Sequence, residues 1–288
     1  MKNTKELIAL LDLDDLGNHN FSGKSVTIGS PHVFGGQVLA QAINAAYKTI
    51  PENRFLHSLH SYFLEAGDLT IPINYHVQEV RNGGSFSTRR VTASQNDKTI
   101  FILAASFHRK EDGFEHQTTF DSNIKQPEKL LSWDDMLAKF GDFLPKSMKY
   151  FLSIERPIEF KPVRIPNPLQ PENLPPNEQV WFRLKGEKQA MDFRTKQEIL
   201  TYISDYNILN PAFNPNASEY NFGNTQTASL DHSMWFFRDF DFDDWMLYAV
   251  ESPNAFGARG LSKGNIFTRD GKLVASVTQE GLLRPIKK

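Results

Sequence analysis

The sequence repeats a short pattern at long range, and this repeat limits the possible folds more than any other feature. The dipeptide His60-Ser61 recurs as His232-Ser233, so the two copies lie 172 residues apart (232 − 60). One acidic residue and one amide residue recur at the same spacing: Glu79 recurs as Glu251, and Asn82 recurs as Asn254. Chance does not readily supply the matched pairs together with the dipeptide. We therefore predict that one supersecondary unit occurs twice in the chain.

Each copy has a similar set of predicted elements. In the first copy, small and apolar side chains cover most of a helix predicted at residues 37–50, which is typical of a helix enclosed by other structure. Strands are predicted at residues 54–64, 73–81, 85–94 and 99–108. The second copy has a predicted helix at 192–206 and strands at 157–163, 180–184, 245–251, 258–268 and 272–284. These elements predict an α+β fold with an N-terminal repeat at 1–110, a connector at 111–155 and a C-terminal repeat at 156–288.

The composition excludes several classes of protein. A formal net charge of −2 gives no strong attraction to nucleic acid, so we do not expect a nucleic-acid partner. The chain contains no cysteine, which excludes disulfides, thiolate metal sites and cysteine nucleophiles. We find no apolar signal segment, no run of the ~20 apolar residues that span a membrane, and no Ser-Lys-Leu ending. We expect a soluble, cytoplasmic protein.

Residues 228–235 place several reactive side chains in one predicted strand. If side chains alternate strictly, Ser229 and Asp231 point to one face and His232 points to the other. Asp231 and His232 then cannot act as a pair, although they are adjacent. The alternation also turns His232 away from Ser229.

Gln279 is a second candidate, because it lies on the apolar face of the last predicted strand. A buried amide without partners costs about 1–3 kcal/mol, so this side chain is a structural tie or part of a site. At the repeat spacing, the first copy has Ala105 or Phe107 in place of Gln279, and His57 in place of Ser229. Two interpretations stay open from pattern alone: a site in the second copy, or divergence without function.

Common catalytic and nucleotide-binding motifs are missing from the sequence. It has no Gly-x-Ser-x-Gly, no Walker loop and no Gly-x-Gly-x-x-Gly. His57 and His60 are close enough in sequence to suggest a metal-binding pair, but alternation along a strand places their side chains on opposite faces. We interpret both as structural histidines and predict neither a metal nor a cofactor.

Five motifs taken together resemble the acyl-CoA thioesterase II family. They cover nearly the whole chain in order and lie at residues 34–37 (Phe-Gly-Gly-Gln), 57–63, 85–90, 229–236 and 279–281 (Gln-Glu-Gly). The resemblance implies a double hot-dog fold, in which each repeat is a helix wrapped by an antiparallel sheet. It also implies hydrolysis of acyl-CoA to free acid and CoA.

The resemblance further implies an Asp, a Ser or Thr, and a Gln around one water. Carried over by motif, these residues are Asp205, Ser229 and Gln279. Without the resemblance, Asp205 would be placed on a solvated helix face. Asp231 and His232 are interpreted as structural.

Other functions and mechanisms remain as alternatives. A hot-dog hydratase or dehydratase would act on the same CoA-linked chains, and a non-catalytic protein would only bind them. Direct attack by Ser229 would need a neighbouring base. The exposed surface of the sheet leads us to expect a homo-oligomer, either a dimer or a tetramer.

Overall fold

Two helices form the centre of the molecule. The structure, a computed structural model, describes residues 1–167 and 169–286. Helices α2 (Gly35–Tyr47) and α5 (Phe193–Ser204) pack against each other, and the start of α2 contacts Asp205, just past the end of α5. The alanines of α2 are fully buried, since their small side chains let neighbouring elements approach closely. The enclosed helix predicted from the sequence is confirmed.

Antiparallel strands wrap these helices on their outer side. The first repeat contains β1 (Asp14–Gly17), β2 (Asn20–Gly23), β3 (Arg54–Phe63), β4 (Ile73–Asn82), β5 (Phe86–Gln95) and β6 (Lys98–Arg109). The second contains β7 (Ile158–Pro162), β8 (Asn177–Leu184), β9 (Thr225–Ser229), β10 (Asp231–Phe236), β11 (Met246–Phe256), β12 (Arg259–Thr268) and β13 (Leu273–Pro285). Alternating burial along β5 and β12 shows that one face of the sheet packs on the helices.

The order of the strands shows the duplication directly. The described strands form one sheet in the order β1-β2-β4-β5-β6-β3-β10-β13-β12-β11-β8-β7, with β9 also pairing with β13. The second half of this order mirrors the first, and β3 and β10 join the two repeats at the centre. The α+β fold with two tandem repeats is therefore confirmed.

Structurally equivalent residues of β3 and β10 are separated by one residue more than the 172 that separate the repeated His-Ser dipeptides. Leu59 pairs with Ala105, which is adjacent to β5. The register on β6 shifts by one residue at His57, and the register on β13 shifts by one residue at Leu230, so these two positions correspond at a spacing of 173 (230 − 57). The same spacing makes Leu59 equivalent to His232, which lies beside Gln279. The counterpart of Gln279 is Ala105, which pairs with Leu59 and lies 174 residues earlier; it is one of the two residues that the sequence left open. The counterpart of Ser229 is Leu56 (229 − 173), so the sequence-based assignment of His57 to this place is wrong.

The repeated His-Ser dipeptides are consequently not equivalent. They lie side by side where the repeats meet, with His60 opposite Ser233 and Ser61 opposite His232. His60 is exposed on the outer face of the sheet, whereas His232 is completely buried on the inner face. The identity at 172 residues indicated the duplication correctly but gave the wrong register.

Shorter helices complete the described chain: α1 (Thr4–Leu11), α3 (Trp133–Phe140), α4 (Lys146–Ser153) and α6 (Asn210–Phe213), with single 3₁₀ turns at Pro127–Lys129 and Asn214–Asn216. α3 and α4 contact each other within the predicted connector. In the part of the chain that the structure describes, no helix is both long enough and apolar enough to cross a membrane.

Candidate active site

A β-bulge determines which side chains of β9 and β10 face the helices. Ser229 pairs with Gly281, but Ser233 pairs with Thr278, so the register on β13 shifts by one residue around Leu230. An extra residue in one strand reverses the facing of every side chain beyond it. Ser229 and His232 therefore both face inwards, and the sequence-based prediction that they face apart is wrong.

Asp231 stabilises this bulge. Its carboxylate oxygen Oδ1 accepts a hydrogen bond of 2.7 Å from the backbone N–H of Glu280, and Leu230 N donates to Glu280 O at 2.9 Å. A bulge interrupts the regular ladder, so these bonds keep the backbone groups of the bulge paired. The structural interpretation of Asp231 agrees with these contacts.

Ser229, Gln279 and His232 form a continuous hydrogen-bonded row on the inner face. Gln279 is 1% exposed, and its Nε2 donates to Ser229 Oγ at 3.0 Å. Its Oε1 contacts His232 Nδ1, and His232 Nε2 lies 3.0 Å from Ser204 Oγ on α5. The structure thus brings together two of the three residues that the resemblance implied, and adds two that it did not.

Asp205 lies where the two central helices meet. It follows the last residue of α5, and its Oδ2 accepts a 2.8 Å hydrogen bond from Gly36 N at the start of α2. A Cβ atom on Gly35 would be only 2.7 Å from Oδ2, so the two glycines allow this close approach. The positive end of the α2 dipole favours the carboxylate there. Asp205 is half-buried rather than on the solvated face that its helical position alone predicts.

The electrostatics of the site connect Asp205 to His232. Burial lowers the pKa of the His232 imidazole, while the nearby charge of Asp205 and the bond to Gln279 act in the opposite direction. Because burial is the largest effect, the ring is neutral at physiological pH. Ser204, next to Asp205 in the chain, carries the hydrogen-bonded row from α5 into the sheet.

Sequence reasoning missed Ser204, His232 and Ser262 as residues of this region. Ser262 pairs with Gln279 across β12 and β13, and its completely buried hydroxyl has no hydrogen-bond partner among the described residues. The signal for His232 and Ser262 is a polar residue on an apolar strand face. For His232 that signal becomes readable only once the bulge at Leu230 is known.

Other polar residues discussed from the sequence lie outside this region. His57 binds Ser106 Oγ through Nε2 at 2.8 Å, and His60 binds Ser233 Oγ through Nδ1 at 3.1 Å. A register shift between Leu56 and Ser58 places both histidines on the outer face, so the argument that they point in opposite directions is also wrong.

The comparisons with known proteins agree with the fold and the motifs. Two family models match: "Acyl-CoA thioesterase" over residues 148–282 and "Acyl-CoA thioesterase N-terminal domain" over residues 23–108. Acyl-CoA thioesterase 2 of Haemophilus influenzae is 42% identical over 96% of this chain and 96% of its own length. The chain belongs to the acyl-CoA thioesterase family. It is therefore a thioester hydrolase by class.

Solved structures extend this relationship to three dimensions. An acyl-CoA thioesterase II from Mycobacterium marinum, 34% identical, aligns with a TM-score of 0.77 over 96% of this thioesterase and 97% of the other chain. A protein from Alicyclobacillus acidocaldarius described as having a hot dog fold aligns with a TM-score of 0.76 at 15% identity, covering 96% and 97% of the two chains. The second likeness shows the fold alone, and the double hot-dog architecture expected from the motifs is confirmed.

Proposed function

We propose that this thioesterase hydrolyses acyl-CoA to free acid and CoA with a water held by Asp205, Ser229 and Gln279. The observation that carries the proposal is the direct hydrogen bond between Gln279 and Ser229 on the inner face, in a row that continues through His232 to Ser204, the residue before Asp205. The first repeat has apolar residues, Leu56 and Ala105, at the places of Ser229 and Gln279. One site per chain, in the second repeat, follows from this difference.

The chemistry requires a water that attacks the thioester carbonyl and loses a proton. Oδ2 of Asp205 is bound to Gly36 N, and we assign Oδ1 to the water, whose proton it accepts or orients. Ser229 Oγ accepts from Gln279, which leaves its own hydrogen free to bond to the water. Collapse of the tetrahedral intermediate breaks the C–S bond, and the thiolate of CoA leaves.

The start of α2 is the candidate for stabilising the oxyanion. Its first backbone N–H groups carry partial positive charge. Gly36 N is bonded to Asp205 Oδ2, and Gln37 N and Val38 N are bonded to Phe34 O, so we assign the oxyanion to Gly35 N. Fixed dipoles of this kind favour negative charge that develops during acyl transfer.

Direct attack by Ser229 is the less favoured mechanism. Such a serine needs an adjacent base, and His232 is the nearest imidazole in the row. Its Nδ1 is bonded to Gln279 and its Nε2 to Ser204, so neither nitrogen is available to Ser229. An amide between the two side chains does not act as a base.

Release of thiol from a panel of acyl-CoAs tests the proposal. We expect Asp205→Asn, Ser229→Ala and Gln279→Ala each to lower kcat/KM by roughly 10²-fold or more while the proteins stay folded. Wild-type kcat/KM in all three folded variants would refute the site. Turnover of enoyl-CoA without thiol release would support a hydratase, and binding without turnover a carrier.

Three further features of the sequence analysis stay proposals. They are the division at 1–110, 111–155 and 156–288, a cytoplasmic location, and assembly into a dimer or tetramer. Exposed apolar side chains on the first-repeat strands support assembly: Tyr62, Val80 and Phe86 are 58%, 56% and 40% exposed. Light scattering after size exclusion, at several concentrations, would give twice or four times the chain mass of 32.9 kDa if the proposal holds, and a mass of one chain would contradict it.

A further inference from the structure

The strongest unexplained feature near the site is the buried imidazole of His232. The residue at its place in the first repeat is Leu59, which is also completely buried. The sheet therefore packs at this position without a polar side chain. Burying an imidazole costs free energy unless both ring nitrogens are hydrogen-bonded. The packing of the fold therefore does not explain why this position is a histidine.

The partners of His232 set the direction of each hydrogen bond in the row. Gln279 Nε2 donates to Ser229 Oγ at 3.0 Å, so the other end of the amide, Oε1, faces the imidazole. A carbonyl oxygen only accepts, and Nδ1 must therefore carry a hydrogen. In a neutral ring Nε2 then has the lone pair, and it lies 3.0 Å from Ser204 Oγ. The one hydroxyl hydrogen of Ser204 has two acceptors in reach, this lone pair and the backbone oxygen of Thr201 at 2.8 Å, so Ser204 does not determine the tautomer by itself.

The opposite tautomer would reverse the row. With its hydrogen on Nε2, the His232 ring would present the lone pair of Nδ1 to Gln279. The Gln279 amide would then rotate so that its own Nε2 faces the ring. Oε1 would then face Ser229 and take up the hydroxyl hydrogen of that residue. That hydrogen is the one assigned above to the attacking water, so the tautomer decides whether Ser229 can bind the water.

We propose that His232 is a positioning residue, which fixes the Gln279 amide through its Nδ1–H tautomer. The proposal rests on the proposed function of Ser229 and Gln279. His232 touches neither substrate nor water in this scheme and acts through Gln279. The second repeat thus needs a polar residue where the first repeat has leucine.

A long-range ¹H–¹⁵N spectrum of protein labelled at histidine tests the tautomer without turnover. The signals of His232 are identified among the 8 histidines by their loss in His232→Leu. We expect a protonated, pyrrole-type Nδ1 and an unprotonated, pyridine-type Nε2. A protonated Nε2 with an unprotonated Nδ1 would overturn the proposal, whether or not the enzyme hydrolyses acyl-CoA.

Kinetics of matched variants separate positioning from packing. His232→Leu copies the first repeat, so we expect it to fold and to keep KM, with kcat lowered at least about tenfold. His232→Asn keeps an N–H donor near the position of Nδ1 and should recover part of kcat. Wild-type kcat in His232→Leu, or equal losses in the leucine and asparagine variants, would contradict the proposal.

A buried serine that contacts the backbone of His232 provides the control. Ser61 Oγ donates to the backbone oxygen of His232 at 2.8 Å and does not contact the ring, so Ser61→Ala should leave kcat within about twofold and the tautomer unchanged. A loss of kcat in Ser61→Ala as large as that in His232→Leu would show that packing alone explains the effect and would overturn the proposal.

Discussion

At the scale of single residues, the hydroxyl of Ser229 is the simplest part of the site to test. It lies 3.0 Å from Gln279 Nε2, and threonine would keep that oxygen while adding a methyl group. We predict that Ser229→Thr keeps kcat/KM for acyl-CoA within about tenfold of wild type, whereas Ser229→Ala loses roughly 10²-fold. Thiol release with circular dichroism as the folding control measures both. Equal activity of the two variants would show that the hydroxyl is dispensable.

Glu198 is a buried carboxyl that makes stability depend on pH. It lies between α2 and α5, where Asn44 Nδ2 donates to its two oxygens at 3.2 and 3.3 Å, and burial raises its pKa from 4.5 to about 8. The folded protein thus keeps a proton that the unfolded chain releases above about pH 4.5. Stability from this group is complete below that pH and is lost as the pH rises through about 8.

The variant Glu198→Gln should remove this dependence, because an amide stays neutral. We expect its Tm to exceed that of wild type by several degrees at pH 8, with the difference shrinking towards pH 5. Glu115→Gln is the control, since the exposed carboxyl of Glu115 is solvated in both states. A constant Tm difference between pH 5 and pH 8 would contradict the prediction.

At the scale of elements, the start of α2 depends on the absence of a side chain. A Cβ atom on Gly36 would overlap the backbone oxygen of Tyr202 in α5. We therefore predict that Gly36→Ala destabilises the protein by about 1–3 kcal/mol, through displacement of one helix from the other. A Cβ atom on Gly84 meets no atom within 4 Å, so Gly84→Ala should change stability by less than about 0.5 kcal/mol. Urea unfolding compares the two, and equal stabilities would show that α2 moves freely.

The bulge between β9 and β10 is the element on which the site depends. It turns His232 towards Gln279, while the following residues Met234 and Phe236 fill the core. Strict alternation of side chains predicts the relative facing of residues correctly within β9 and within β10. It fails for residues on opposite sides of Leu230, because the bulge lies between them. A single extra residue is a property of the pairing between strands, and no residue of the segment signals it alone.

At the scale of the whole molecule, the two repeats share one sheet and one helical layer. β3 and β10 pair over five residues each, and α2 packs on α5, so neither repeat can unfold without exposing the other's core. We predict a single cooperative unfolding transition. All 4 tryptophans lie after residue 132, so tryptophan fluorescence reports the connector and second repeat, whereas circular dichroism reports both repeats. Different midpoints for the two signals would show that the repeats unfold separately.

The sequence by itself determined the duplication, the α+β class, most of the helices and strands, and the family. These features depend on residue periodicity and on motifs, which are local or simply repeated along the chain. Asp205 was reached only through the resemblance, because a helical wheel cannot show that α2 covers the end of α5.

Only the tertiary structure decided the true repeat spacing, the inward direction of His232 and the partners of Gln279. Each of these depends on which residues pair across strands, and one bulged residue is enough to exchange the two faces of a strand. The repeated His-Ser dipeptide revealed the duplication, yet its two histidines lie on opposite faces of the sheet. Sequence identity indicated the duplication, whereas strand pairing and the packing of α5 on the sheet brought Ser204, His232, Gln279 and Ser229 together in one repeat.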